Sequence, residues 1–307
     1  MGAELLPYEV DSSGVVTMNL THDDKTVVVL NRALLESIDA TLDQLAAEVP
    51  DPSGFVLASG SARVFIAGAD LKEVVGLSDD ELMDYLAFGS KVYSRIASLP
   101  CTSVAAINGA CLGGGLEIAM HCDTLIGAKT DKPFPIGLPE AGLGICPGWG
   151  GTNLLPARMD SEKAILKAAT GETMTSVEAL QEGLLSELVE PDQLLNRARE
   201  LAKVPKVVPM SNASVTPRCI ANEDVKPHVR ATLNFIGNDL PDTEAAKAVV
   251  GCVQKGLVSG WDAALEMERT ELTRLRHTDE AKKAIQAFFE KSSKPKTARP
   301  APAATGG

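Results

Sequence analysis

Apolar residues along the chain recur at two spacings, and each spacing predicts an element. Val15–Leu20 and Phe55–Ser59 are short apolar runs bounded by turn residues, the pattern of buried strands. Thr26–Leu30, Ser103–Ile107 and Asp123–Ala128 predict further strands, and strand character also appears near Phe65. Leu34, Leu35, Ile38, Leu42, Leu45 and Val49 follow helical spacing until Pro50, Asp51 and Pro52 end it. Asp79–Ser98 predicts a second helix, with Leu82, Leu86, Val92, Tyr93 and Ile96 on its apolar side. Asn108-Gly109 breaks the next strand, and Gly113-Gly114-Gly115 opens a helix from Leu116 to about His121. Strand, strand and helix repeat with short connections, which predicts stacked ββα turns rather than a simple alternating βα sheet.

Beyond Thr152 the pattern turns helical. Thr175-Ser176-Val177-Glu178 is a capping box, in which Thr175 serves the Glu178 amide and Glu178 reaches back. Gly183 sits where a helix C′ residue belongs. Ser186–Glu190 predicts a short extended return and Asp192–Lys203 a further helix. Val204–Pro217 is rich in Val, Pro and Ser and reads as a linker. Thr243–Glu290 is helical again, with Thr278 as an N-cap ahead of Asp279 and Glu280. The predicted division is a core at 1–203, a helical region at 204–291 and a low-complexity, disordered tail at 292–307.

Composition narrows the function. A chain of 307 residues with 45% hydrophobic content can build a sizeable core. A net charge of -12 lacks the basic footprint of a nucleic-acid binder, though it does not exclude a small anionic ligand. The six cysteines form no CxxC pair and read as reduced, buried thiols. No apolar run is long enough to span a bilayer, and the N-terminus lacks signal- or transit-peptide features. The expectation is a soluble cytoplasmic protein that binds neither membrane nor nucleic acid.

The chemistry concentrates between Val104 and Thr152. Glu117 and Glu140 lie there among glycines and apolar residues, where an ionised carboxylate is expensive. Two such acids push their pKa values apart, so one can act as acid and the other as base near neutral pH. Gly113-Gly114-Gly115, at the junction of a strand and a helix, reads equally as tight packing or as backbone presented to a ligand. The glycines fit neither a dinucleotide fingerprint nor a P-loop. A second glycine loop, Gly68-Ala69-Asp70, could present the Ala69 amide towards Gly114, a pairing that only geometry can establish. His121-Cys122-Asp123 lacks metal-ligand spacing, so no metal is expected, and no G-x-S-x-G elbow is present.

FIAGADLKEV, AAINGACLGGGLEIAMHCD and IGLPEAGLGICPGWGGTNLLP, in that order and spacing, resemble the three signatures of the crotonase (enoyl-CoA hydratase/isomerase) superfamily. The likeness runs in weaker form from about Val15 to Val189 and resumes at TDEAKKAIQAFFEK. It implies an α/β fold, a spiral of ββα turns followed by helices that build a homotrimer or a dimer of trimers. It implies an acyl-CoA thioester substrate, with coenzyme A as part of that substrate and no separate cofactor. It places the oxyanion-hole amides at Ala69 and Gly114, the catalytic carboxylates at Glu117 and Glu140, and the water-holding amide at Gly148. Ala67, Gly68, Asp70, Lys72, Gly113 and Trp149 would line the substrate site. The presence of both acids implies reversible hydration of a 2-enoyl-CoA, with Glu140 serving the α-carbon and Glu117 the water.

Some features depart from that pattern. Three extra residues lie between the acids near Asp131–Phe134, Trp149 stands where a small residue is common, and 204–241 has no clear counterpart. Trp149 either floors the acyl pocket or simply packs. Lys72, Arg63 and the locally basic 269–299 segment are candidates for the coenzyme A phosphates. Competing readings are isomerisation, cyclic dienoyl-CoA hydration or hydrolysis on the same scaffold, or a non-catalytic acyl-CoA-binding protein.

Overall fold

Each ββα turn delivers one long strand and one short strand, and the two kinds assemble into separate sheets. A computed structural model of the chain describes residues 3–21, 28–206 and 217–293. It opens with β1 (Tyr8–Val10) and β2 (Val15–Leu20), followed by α1 (Arg32–Glu48). The Asn31 side chain caps α1 by accepting from the Leu34 N–H at 2.8 Å. The next turn is β3 (Gly54–Ser59), β4 (Val64–Ile66), the short α2 (Leu71–Gly76) and α3 (Asp79–Ala97). β5 (Ser103–Ile107), β6 (Ala110–Leu112) and α4 (Gly114–Ala119) repeat it. β7 (Thr124–Ala128) and β8 (Pro135–Gly137) begin a third turn, which leads through a 3-10 turn at Pro139–Leu143. Then come α5 (Gly151–Leu154), α6 (Ser161–Thr170), β9 (Met174–Thr175), α7 (Ser176–Gln181), β10 (Glu187–Val189) and α8 (Leu194–Ala202).

The first sheet runs β1-β2-β3-β5-β7-β10 and the second β4-β6-β8-β9. Pairing is parallel except at β1–β2 and β8–β9. β3 and β5 are buried along nearly their whole length, as central parallel strands covered on both faces must be. The mixed α/β fold with stacked ββα turns is the architecture expected from the sequence. The Thr175–Glu178 capping box forms with both its hydrogen bonds, and Gly183 takes the left-handed conformation (φ +83°) just past α7.

The differences are local. β6 and β8 are not predicted, because three residues are too few to show a period. α4 starts at Gly114, not Leu116. Of the predicted strand Thr26–Leu30, residues 26 and 27 lie outside the described residues; Val28 and Val29 are not strand, and Leu30 makes a single parallel bridge to Ala69. Residues 207–216 of the linker and 294–307 of the tail also lie outside the described residues.

The C-terminal part holds α9 (Lys226–Leu233), α10 (Glu244–Ser259), α11 (Trp261–Leu275) and α12 (Asp279–Ser293). α10 and α11 pack on each other; α10 also lies on α6 and α11 on α3. Thr278 caps α12, its hydroxyl accepting from the Ala281 N–H at 3.2 Å. Within 204–241, Ile220, Val225, Val229 and Ile236 form a second small core with Ile165, Val253 and Leu257. Among the described residues no helix is long and apolar enough to cross a membrane.

Gly89 sits inside the 19-residue α3, where glycine is ordinarily about 1 kcal/mol worse than alanine. A Cβ there would lie 2.3 Å from Trp149 Nε1 and 2.7 Å from Cε2. The indole cannot yield, because Nε1 donates to the Leu86 carbonyl at 3.0 Å and Tyr85 and Tyr93 flank the ring. Gly89→Ala is therefore expected to lose about 1–3 kcal/mol in urea unfolding, the usual cost of overpacking. Gly76→Ala, where nothing lies within 4 Å, is the control and should be neutral or slightly stabilising. A neutral or stabilised Gly89→Ala would contradict this packing.

Candidate active site

The catalytic, oxyanion-hole, water-holding and substrate-lining residues expected from the sequence all line one cavity of about 610 Å³, whereas Arg63 does not. Ala67, Gly68, Ala69 and Asp70 come from the β4–α2 loop, Lys72 from the first turn of α2, Gly113, Gly114 and Glu117 from the start of α4, and Glu140, Gly148 and Trp149 from the loops after β8. Leu86, Leu272, Phe288 and Phe289 complete apolar parts of the wall, so α3, α11 and α12 also border it.

The two glycine loops meet. A Cβ built on Gly113 would lie 3.7 Å from the Gly68 Cα and 2.5 Å from Glu140 Oε1. Gly113 (φ +52°) and Gly68 (φ +113°) both occupy backbone conformations that favour glycine. The glycine run fits the packing reading at each position. Gly114 leaves room for the Trp149 ring and Gly115 for Ile66, each 2.5 Å from the absent Cβ, while Gly113 leaves room for an acid. Behind the loops, Tyr85 donates to the Leu30 carbonyl at 3.0 Å and Tyr93 to the Gly114 carbonyl at 3.3 Å. Leu30 in turn donates to the Gly68 carbonyl and accepts from Asp70 N–H. The Ala69 and Gly114 N–H groups have no acceptor among the described residues.

Glu117 is 1% exposed. Its Oε1 accepts from Trp149 N–H and Gly151 N–H, both at 2.8 Å, while Oε2 has no donor among the described residues. Burial pushes its pKa up to about 7, against the opposing pull of those two donors. Glu140 is half-buried as a residue, but its Oε2 is enclosed without any partner among the described residues. Burial first and the neighbouring Glu117 charge second hold it well above the ordinary carboxylate range. Glu140 thus keeps its proton more firmly than Glu117.

The other expected residues divide. The Asp70 carboxylate accepts from the Lys72 N–H at 2.9 Å and so caps α2. Lys72 is exposed at the cavity. Arg63 is exposed and is not among the lining residues. Within the basic C-terminal segment, Arg276 is buried against the Val74 and Leu77 carbonyls and Asp79, and Arg274 pairs with Glu271, so both hold the fold together. Trp149 is 2% exposed: it both packs and lines the cavity. Among the described residues no group of three or more His, Cys, Asp or Glu could hold a metal ion.

A third buried carboxylate, Glu268, was not foreseen. It is 0% exposed in α11 and accepts from Gly150 N–H at 2.5 Å, from Thr152 N–H at 3.0 Å and from the Thr152 hydroxyl. A sequence signal for it exists, since Glu268 falls on the apolar stripe of Trp261, Ala264, Leu265, Leu272 and Leu275.

The enoyl-CoA hydratase/isomerase family model matches residues 11–216. The chain is 32% identical over 302 residues to the fatty acid oxidation complex subunit alpha of Pseudomonas aeruginosa, covering 93% of this chain and 41% of that subunit. It thus spans about two fifths of that relative's length. It is 30% identical over 288 residues to the short-chain-enoyl-CoA hydratase of Clostridium acetobutylicum, covering 94% of this chain and 96% of the relative. A crystal structure of enoyl-CoA hydratase from Bacillus anthracis superposes with a TM-score of 0.60 at 27% identity, covering 94% of this chain and 97% of that one. The chain belongs to the enoyl-CoA hydratase/isomerase family.

Proposed function

We propose that the chain catalyses reversible addition of water across the 2,3 double bond of a 2-enoyl-CoA. The observation that carries this reading is the pair of enclosed carboxylates, Glu117 and Glu140, in one cavity with two N–H groups that lack acceptors. The thioester oxygen accepts hydrogen bonds from Ala69 and Gly114 N–H, which stabilise the enolate as charge develops. Ionised Glu117, held through Oε1, offers Oε2 to a water that Gly148 N–H helps to hold. Glu117 takes one proton of that water as its oxygen bonds to C3. Glu140 gives its proton to C2 as the enolate collapses. The reverse reaction runs through the same pair holding one proton, now on Glu117.

The wall beside the acids is tightly packed. A Cβ built on Gly148 would meet Leu86 and Leu272, each at 3.0 Å, and Trp149 fills the space between α3 and Gly114. This supports short acyl chains as substrates. The Clostridium acetobutylicum relative is named for short-chain substrates. We extend the reading to a homotrimer or dimer of trimers; Phe235 and Val258, 81% and 82% exposed, are apolar surface that a neighbouring copy would cover.

Glu117→Gln and Glu140→Gln are each expected to slow crotonyl-CoA hydration by at least about a hundredfold, followed by loss of enoyl thioester absorbance. The wild-type pH–rate profile should be bell-shaped. Its rising limb lies near pH 7, where Glu117 loses its proton, and its falling limb lies higher, where Glu140 loses its own. Activity that survives both substitutions would overturn the two-acid mechanism. Trp149→Leu should raise kcat/KM for octenoyl-CoA relative to crotonyl-CoA by about tenfold; an unchanged ratio would remove Trp149 from the acyl wall. Sedimentation velocity at micromolar concentration should show three or six chains, and a stable monomer would contradict the oligomer.

A further inference from the structure

Four consecutive backbone N–H groups, 149 to 152, alternate between two buried acids. Trp149 and Gly151 donate to Glu117 Oε1; Gly150 donates to Glu268 Oε2 and Thr152 to Glu268 Oε1. The Thr152 hydroxyl also donates to Glu268 Oε1, and its direction is fixed because the same oxygen accepts from Asn153 Nδ2 at 2.9 Å. Asn153 Nδ2 reaches on to the Cys252 carbonyl at 3.2 Å, which ties the arrangement to α10. Both Glu268 oxygens are therefore acceptors. An amide there would turn a donor against Gly150 N–H or Thr152 N–H.

We propose that Glu268 is a positioning residue for the reaction assigned above: by gripping Gly150 and Thr152 from α11 it fixes the loop that aims Glu117 Oε2 and Gly148 N–H at one water. Glu268 itself lines no part of the cavity, so it acts through the loop. This inference rests on the hydratase reading for its kinetic consequences, while the coupling between Glu268 and Glu117 is a property of the fold.

Burial first and the nearby Glu117 charge second push the Glu268 pKa up to about 8, above the value of about 7 for Glu117, so Glu268 acts on Glu117 through the loop whose Trp149 and Gly151 N–H groups serve it. The other titratable groups around them leave this pairing in place. Glu140 faces the two acids from the Pro139–Leu143 turn and holds its proton. The Cys146 thiol, which donates to the Glu268 carbonyl at 3.6 Å, is pushed up by burial, as is Tyr93 of α3. His121 at the end of α4 is lowered to about 4 and is neutral. Cys252 approaches from α10 beside Cys146, and Arg269, next in α11, turns to the Ser90 hydroxyl at 3.5 Å.

The test is Glu268→Gln in the full chain, with two readouts. With crotonyl-CoA, kcat should fall about tenfold or more with KM nearly unchanged, and the rising limb of the pH–rate profile should move to higher pH, because a loosened loop withdraws the Trp149 and Gly151 donors from ionised Glu117. Independently of turnover, 13C NMR titration of the Glu117 carboxyl, identified by its loss in Glu117→Gln, should show the same upward shift. Thr152→Val removes only the hydroxyl donor and should give a smaller shift in the same direction if Glu268→Gln fails to fold; Thr152→Ser should restore the parent behaviour. A folded Glu268→Gln with an unmoved Glu117 titration and kcat within about twofold of the parent would overturn the proposal. So would an unmoved titration in Thr152→Val. A parent chain that hydrates no enoyl-CoA, yet shows the NMR shift, would overturn the hydratase reading and leave the Glu268–Glu117 coupling standing.

Discussion

A carboxylate taken out of water must find donors or keep its proton, and the site is organised around three answers to that demand. Glu117 has two backbone donors on one oxygen, Glu268 has three donors over both oxygens, and Glu140 Oε2 has none among the described residues. The four amides that serve the first two acids belong to one loop, and a backbone that turns successive N–H groups to opposite sides needs unusual freedom. Gly150 supplies it at φ +101°, where any side chain would also strike Trp261 at 2.2 Å from its Cβ. Gly151 lies so close to Glu117 Oε1 that an added Cβ would sit 3.0 Å away. The Gly-Trp-Gly-Gly run is therefore set as much by the acids it serves as by the cavity it borders.

α3 is the second organising element. Its buried face carries Tyr85, Leu86, Gly89 and Tyr93, and each of them touches a different part of the site. The two tyrosine hydroxyls hold Leu30 and Gly114 from behind, the Leu86 carbonyl receives the indole N–H, and Gly89 makes space for the indole ring. The helix begins at a Ser78–Glu81 capping box, and its first residue, Asp79, is held by Arg276 at the end of α11. α11 also carries Glu268, so the element that anchors α3 is the one that grips the 149–152 loop.

The sequence made the motif order and the ββα repeat legible because these depend on residue type at short range. Gly113, Gly114 and Glu117, or Thr175 and Glu178, are close in the chain and their chemistry can be read locally. What stayed hidden depends on distance in the chain. Glu268 meets Thr152 across 116 positions, and its neighbours Glu266, Arg269 and Glu271 make the helix look solvated. Whether Trp149 packs or lines the pocket is not legible locally, because the answer lies in Gly89, on a helix 60 residues earlier, whose missing side chain has no meaning until the indole is seen against it. Phe288 and Phe289 reach the cavity only because α12 packs against the Pro139–Leu143 turn, a docking that no local pattern encodes.

Between Glu117 and Glu140 the order of proton affinities then follows from donor supply and mutual repulsion as well as from burial. Glu117 and Glu140 both have enclosed carboxyl groups, so desolvation raises both. What separates them is that Trp149 and Gly151 return part of the lost solvation to Glu117, while an ionised Glu140 would leave Oε2 bare. A shared single proton therefore rests on Glu140, and the base stands on the side that carries Gly148. The same asymmetry explains why a third acid can sit nearby without scrambling the roles. Glu268 is directed away from the cavity by its own three donors and shares with Glu117 only the loop that both hold, so it acts on the reacting pair through geometry and never competes for the substrate's proton.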